Sequence, residues 1–170
     1  MARCRPLRKH RIGITAMSAV DRATERVIGW APLKVLRRVR WGECDPAGVV
    51  YTVNFCEYVA SAFELFMTEL LGGPLQAMKK RHGFAVPARA LTLDFLGTLQ
   101  PDDEFVMTVL VTDVRTRTFD LGIAGTCSGR DIFKAKLTSI SVDAARAAIP
   151  IPELLRQRLD SYRAVCESVG

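Results

Sequence analysis

The chain has 170 residues, 49% of them hydrophobic and 25% charged, which is enough apolar content to close a core and too much for a disordered chain. Its formal charge of +6 points at first to an anionic partner, yet Arg3, Arg5, Arg8, Lys9 and Arg11 all precede the first acidic residue. With those five set aside, 19 of the 24 basic residues face 18 acidic ones, so the body lacks the basic surplus of a nucleic-acid binder.

Residues 1–30 read as a basic, disordered N-terminal extension, and residues 31–170 as one domain that ends in a helix. The Arg-rich, acid-free start fits either a mitochondrial transit sequence or extra residues upstream of a start at Met17, and Ile12–Val20 is too short for the core of a signal peptide. A first strand is expected over Val35–Trp41. A tight loop follows, Glu43-Cys44-Asp45-Pro46-Ala47-Gly48, in which Pro46 fixes one backbone angle and Gly48 permits a positive φ. Asp45 is therefore a carboxylate on a constrained turn just ahead of a helix start, where free backbone amides gather.

From Val53 to Leu71 the spacing is helical. Phe55, Val59, Ala62, Phe66 and Leu70 form an apolar stripe, opposed by Glu57, Ser61, Glu64 and Thr68, and Gly72-Gly73-Pro74 stops the run. A further helical turn fits Leu75–Arg81. The period then changes to two. Leu91, Leu93 and Phe95 define one strand, Phe105 to Val111 a second, Phe119 to Ile123 a third, and Phe133, Ala135 and Leu137 a fourth whose phase changes near Ser139, as at a bulge. Turn residues at 100–103, 115–116 and 128–131 separate these strands and predict a mostly antiparallel meander. Pro150-Ile151-Pro152 opens the last helix, with Ile151, Leu155, Leu159 and Tyr162 on one face.

An enclosed helix followed by strands with one apolar face each requires the sheet to curl round the helix. The polar stripe must then reach solvent, an interface or a site, because an unpaired buried carboxylate is strongly unfavourable. Glu57 is either a solvent-facing residue or a second carboxylate of the site.

Cys4, Cys44, Cys56, Cys127 and Cys166 contain no C-x-x-C pair and no zinc-type spacing with His10 or His82, which predicts a reduced, cytoplasmic protein without a metal. Cys44 and Cys56 read as small buried residues, since no His stands near them to activate a thiol. No run approaches the ~18 apolar residues of a membrane span.

Arg38-Val39, Cys44-Asp45, Gly48-Val49-Val50-Tyr51 and Asn54, with the order of elements, resemble the hotdog-fold acyl-CoA thioesterases of the 4-hydroxybenzoyl-CoA thioesterase type. The resemblance runs over about residues 33–143 and includes Asp94-Phe95-Leu96 and Leu99 to Glu104. Thr52, where His or an aromatic is usual, and Phe55 in place of Tyr depart from the pattern. The resemblance implies an α+β fold, an antiparallel sheet curled around one long central helix, assembled as a homodimer or homotetramer with the site between subunits.

It also implies hydrolysis of an acyl- or aryl-CoA thioester to free acid and coenzyme A. Asp45 would be nucleophile or general base, the backbone amides around Tyr51 and Thr52 would polarise the carbonyl, and Pro46, Gly48 and Val49 would line the substrate. No cofactor is needed, because coenzyme A arrives with the substrate and thiolate is a good leaving group. Arg89, Arg115, Arg117, Arg130 and Lys134, which flank strands or turns, are candidates for its phosphates. A non-catalytic acyl-CoA-binding protein using the same cleft is the alternative.

Overall fold

The computed structural model describes residues 23–169. In chain order these form β1 (Glu25–Trp30), β2 (Leu33–Arg38), a short 3-10 turn (Trp41–Glu43), α1 (Asn54–Leu71), α2 (Leu75–His82), β3 (Ala88–Phe95), β4 (Glu104–Val114), β5 (Thr118–Cys127), β6 (Arg130–Ile140) and α3 (Glu153–Val169). The six strands make one antiparallel sheet in the order β1-β2-β4-β5-β6-β3. With α1 held against its inner face, this is the α+β architecture expected.

Three features correct the sequence reading. Residues 25–30, placed with the extension, are a strand that pairs with β2 from Glu25↔Arg37 to Trp30↔Leu33; residues 1–22 of the extension lie outside the described residues. The turn at 100–103 does not close a hairpin, because β3 crosses the sheet to pair with β6, leaving β4-β5-β6 as the meander. Period-2 alternation reveals a strand but not its neighbour. Ser139 does not change the phase of β6 either. It continues the inward row of Phe133, Ala135 and Leu137 and is fully buried, while the irregularity lies on the facing strand between Ala88 and Ala90.

The core is the inner face of the sheet against α1. Leu33 and Val35 of β2, Phe105, Met107 and Val109 of β4, and Phe119, Leu121 and Ile123 of β5 are all at most 1% exposed. The helical stripe meets them as its spacing predicts, with Phe55, Val59, Ala62, Phe66 and Leu70 buried. Inside β5 the ring of Phe133 occupies the place where a side chain at Gly125 would begin, since a Cβ there would lie 2.2 Å from it.

β3 differs from the other strands. Leu91, expected inward, is 38% exposed and Phe95 is 47% exposed, and β3 is an edge strand with a neighbour on one side only. At the other side α3 buries Leu155, Leu159 and Tyr162 as predicted. The Tyr162 hydroxyl accepts from the Leu33 amide (2.7 Å) and donates to the Val109 carbonyl (2.6 Å), and Arg158 donates to the Leu70 carbonyl (2.6 Å).

Candidate functional site

The loop that carries Asp45 is closed on itself and fastened to the sheet. The Asp45 amide donates to the Val49 carbonyl (2.9 Å), the Gly48 amide to the Asp45 carbonyl (2.9 Å), and the Val50 amide to the Leu99 carbonyl (2.9 Å). Gly48 has φ +79°, the left-handed conformation that glycine adopts without strain. Asp45 Oδ1 accepts the Ala47 amide at 2.8 Å, an Asx-type turn that sets the carboxylate's orientation. Among the described residues Oδ2 accepts no hydrogen bond, and the side chain is half-exposed.

At the start of α1, Asn54, Phe55 and Cys56 donate their amides to the carbonyls of Tyr51, Thr52 and Val53. The Tyr51 amide, expected at the substrate, donates to the Glu43 carbonyl (3.0 Å). The amides of Thr52 and Val53 have no acceptor among the described residues, and both residues are exposed. These are the open donors at the positive end of the helix.

Behind the loop lies a buried ionic cluster that the sequence reading did not single out. Glu43, 6% exposed, takes Arg37 on Oε1 (2.7 Å), Arg40 Nε on the same oxygen (3.0 Å), and the Arg40 amide (2.9 Å) and Tyr58 hydroxyl (3.0 Å) on Oε2. Its carbonyl also accepts Asn54 Nδ2 at 2.6 Å. Arg37 lies over the Tyr58 ring, 4.5 Å from its centroid, and pairs with Glu25 (3.3 Å), which accepts from Ser61 of α1. Burial on its own would raise the Glu43 pKa, but the hydrogen bonds from the Arg40 amide and from the Arg37 and Arg40 side chains outweigh it and hold the carboxyl below its ordinary value. Burial beside Glu43 pushes the Tyr58 hydroxyl up, so it stays a donor. A signal was present in the Arg37, Arg40 and Glu43 spacing, but only the fold brings Tyr58 and Asn54 to it.

The remaining candidates are scattered. Glu57 is exposed on α1. Pro46 and Gly48 are exposed and Val49 half-exposed on the Asp45 loop. The loop is tied to the beginning of β4 through Val39 and Asp103 (2.9 Å), so it shares an end of the sheet with the β5–β6 turn and therefore with Arg130 and Lys134. Lys134 pairs there with Asp131 (2.9 Å). Arg115 and Arg117, in the β4–β5 turn, and Arg89, at the start of β3, lie at the opposite end. Arg115 is already engaged by Asp120 (2.6 Å) and by Asp113. The five cations are thus not brought together within one protomer.

Cys44 is half-buried, and burial with the charges of Glu43, Asp45 and Asp103 pushes its thiol up, against a nucleophilic role. Cys56, read as buried, is exposed on α1. Among the described residues no cluster of His, Cys, Asp and Glu is placed to hold a metal ion, and no helix is long and apolar enough to cross a membrane. A cavity of about 580 Å³, walled by Phe63, Leu71, Leu75, Phe84 and Val86 with Lys79 and Arg146 also lining it, reaches the far end of α1, a helix of 18 residues and so about 27 Å long.

The family model for the thioesterase-like superfamily matches residues 39–159. The chain belongs to this superfamily. No curated protein matches it in sequence. Among solved structures it is similar to a gentisyl-coenzyme A thioesterase, at 24% identity and TM-score 0.67 over 74% of this chain and 98% of that one. It is also similar to a 1,4-dihydroxy-2-naphthoyl-CoA thioesterase from Synechocystis, at 20% identity and TM-score 0.68 over 75% and 94%. A Staphylococcus aureus protein solved in complex with CoA superposes at TM-score 0.72 and 13% identity over 84% and 87%. At these identities the likeness establishes the thioesterase-like, hotdog fold.

Proposed function

We propose that this thioesterase-superfamily protein hydrolyses an acyl- or aryl-CoA thioester, and that the reaction takes place at Asp45. The observation that carries the reading is the pairing of an open carboxylate oxygen, Asp45 Oδ2, on a closed loop with two open amides at the following helix start. The thioester carbonyl oxygen is received by the amides of Thr52 and Val53, which stabilise the negative charge that develops on it. The attacking oxygen comes from Asp45 itself, giving an acyl-carboxylate anhydride that water then cleaves, or from a water whose proton Asp45 takes. In either case the C–S bond breaks, coenzyme A leaves as thiolate, and the net change is thioester plus water to acid plus thiol. Single turnover in ¹⁸O-labelled water tests direct attack: a first product with two unlabelled carboxyl oxygens and the label on Asp45 shows that water opened the anhydride at the Asp45 carbonyl, a result that a water activated by Asp45 cannot give.

Part of the site comes from a second copy. β3 is an edge strand with exposed Leu91 and Phe95, and antiparallel pairing with the same strand of another chain places the Ala88 end of one beside the Phe95 end of the other. Phe95 touches Phe55 near the start of α1, with ring centroids 5.3 Å apart, so the partner's Arg89 and the mouth of its large cavity approach the Asp45 loop. The free cysteines among the described residues suit a reducing, cytoplasmic setting.

The 4-hydroxybenzoyl-CoA type of activity rests on the motif around Asp45, and two similar structures are named for hydroxyaryl-CoA substrates. Aryl-CoA esters therefore come first in the test, beside short- and long-chain acyl-CoAs, with thiol release followed by a disulfide indicator. Release from an aryl-CoA is expected. Saturable binding of acyl-CoA with no release from any member would replace the enzyme by an acyl-CoA-binding protein.

A further inference from the structure

Resting on the reading of Asp45 above, we infer that Glu43 is a positioning residue, whose carboxylate and carbonyl together hold the Asp45 loop in register with the open amides of the α1 start. Asp45 stands two residues beyond it, and Glu43 binds on both sides of that loop. Its carboxylate holds Arg37 of β2, the Arg40 side chain and amide before the loop, and Tyr58 of α1. Its carbonyl holds the Tyr51 amide and the Asn54 side chain, immediately before and at the first turn of α1. The chain between these two sets of contacts is the Asp45 loop, and Thr52 and Val53 lie between Tyr51 and Asn54.

The chemistry of the cluster favours a role in geometry over one in stability. Two carboxylates, Glu25 and Glu43, and two guanidiniums, Arg37 and Arg40, are drawn together with three of the four side chains largely buried. A packed apolar group of similar volume commonly serves stability as well as a buried ion pair, because desolvation offsets the attraction. Directional bonds give what apolar packing cannot, a fixed angle between β2, the loop and the helix start. An error of about 1 Å between attacking group and oxyanion donors costs roughly a hundredfold in rate. Glu43 and Asn54 thus act on one quantity, the placement of Asp45 against Thr52 and Val53: Asn54 binds the Glu43 carbonyl, and the Glu43 carboxylate fixes the residue that carries it.

The test measures kcat and KM for Glu43→Gln, Tyr58→Phe, Asn54→Ala and Asp45→Asn with the same acyl-CoA, beside peptide-level hydrogen exchange. Glu43→Gln is expected to lower kcat about tenfold or more while KM stays within about threefold, the pattern of lost transition-state placement. Asn54→Ala should lower kcat in the same way, and the pair should lose less than the product of the two single effects, since both loosen one contact set. Exchange over residues 45–53 should quicken in both variants while β4 and β5 stay protected. Wild-type kcat in folded Glu43→Gln, with only the melting temperature lowered, overturns the inference. If Glu43→Gln does not fold, Asn54→Ala and Tyr58→Phe decide: unchanged kcat in both overturns it as well. Asp45→Asn keeps the two claims apart, because full turnover there removes the Asp45 reading itself, whereas a dead Asp45→Asn beside a fully active Glu43→Gln removes the role of Glu43 alone.

Discussion

Asp45 has one carboxylate oxygen engaged by Ala47 and the other open, so Asp45→Asn removes charge and nucleophilicity while keeping size and the ability to form the turn. The expected outcome is a fall in kcat of about a hundredfold or more, roughly 2.7 kcal/mol of barrier, with an unchanged melting temperature. Glu57→Gln, on an exposed position of α1, should stay within about threefold of wild type in kcat. The reverse ranking would move the chemistry onto the helix. A second carboxylate governs acid stability. Burial would raise the pKa of Asp120, but hydrogen bonds from Arg115, Lys136 and Thr138 outweigh it and hold the carboxyl well below its usual range. A group depressed in the folded state contributes stability above its unfolded pKa of about 4 and loses that contribution as pH falls toward the folded value. The melting temperature should therefore drop below about pH 4, and Asp120→Asn, less stable at neutral pH, should show a flatter drop; parallel curves for the two proteins would contradict this. The constrained loop that carries Asp45 was legible because turn residues and a helix start lie within a few positions of one another. Glu43 was not, because an acid next to Trp41-Gly42 reads as solvated until Arg37, Tyr58 and Asn54 close over it.

Strands behave at the scale of the element as their alternation predicts where a helix covers them, and otherwise where an edge is left. The inward row of β4 follows the period of two without exception from Phe105 to Val111, and Phe119, Leu121 and Ile123 of β5 are buried likewise, with Asp120 between them buried on the other face by its partners Arg115, Lys136 and Thr138. β3 has the same period with Leu91 and Phe95 half open, since alternation reports a potential apolar face and not the presence of a cover. β1 was hidden by its composition: Glu25-Arg26-Val27-Ile28-Gly29-Trp30 alternates poorly and has only half-buried or exposed residues, as suits an edge strand whose main tie is its ladder to β2. Gly125 shows how closely the inner face is filled. Gly125→Ala sets a methyl 2.2 Å from the Phe133 ring, inside a row where Phe105 and Phe55 leave that ring little room. Overpacking of this kind costs about 1–3 kcal/mol, to be read as a lowered urea midpoint with an unchanged m-value. An unchanged midpoint would mean that the ring has somewhere to go.

For the molecule as a whole, the decisive quantity is the state of the β3 edge. A protomer of 18.8 kDa leaves there a full row of ladder groups flanked by Leu91 and Phe95, and such an edge invites pairing unless charges or a covering element block it. β3 has Arg89 near one end and Asp94 near the other, an arrangement in which antiparallel self-pairing sets the cation of one copy toward the anion of the next, so the charges favour the two-fold arrangement. The sequence could suggest an assembly from the polar helix stripe, but Glu57 and Glu64 are simply exposed, whereas β3 is an edge strand that carries the exposed Leu91 and Phe95. The double substitution Leu91→Lys, Phe95→Lys puts two like charges on each copy of this edge at positions outside the Asp45 loop and the Glu43 cluster. Sedimentation should then shift from at least a dimer to a monomer of 18.8 kDa. On the two-copy site proposed above, which draws on the partner's Arg89 and cavity, turnover should fall with it, and KM for the CoA ester should rise more than kcat falls as a binding contact is lost uniformly. A variant that stays dimeric would place the interface elsewhere, and a monomer with wild-type kcat and KM would confine the whole site to one chain.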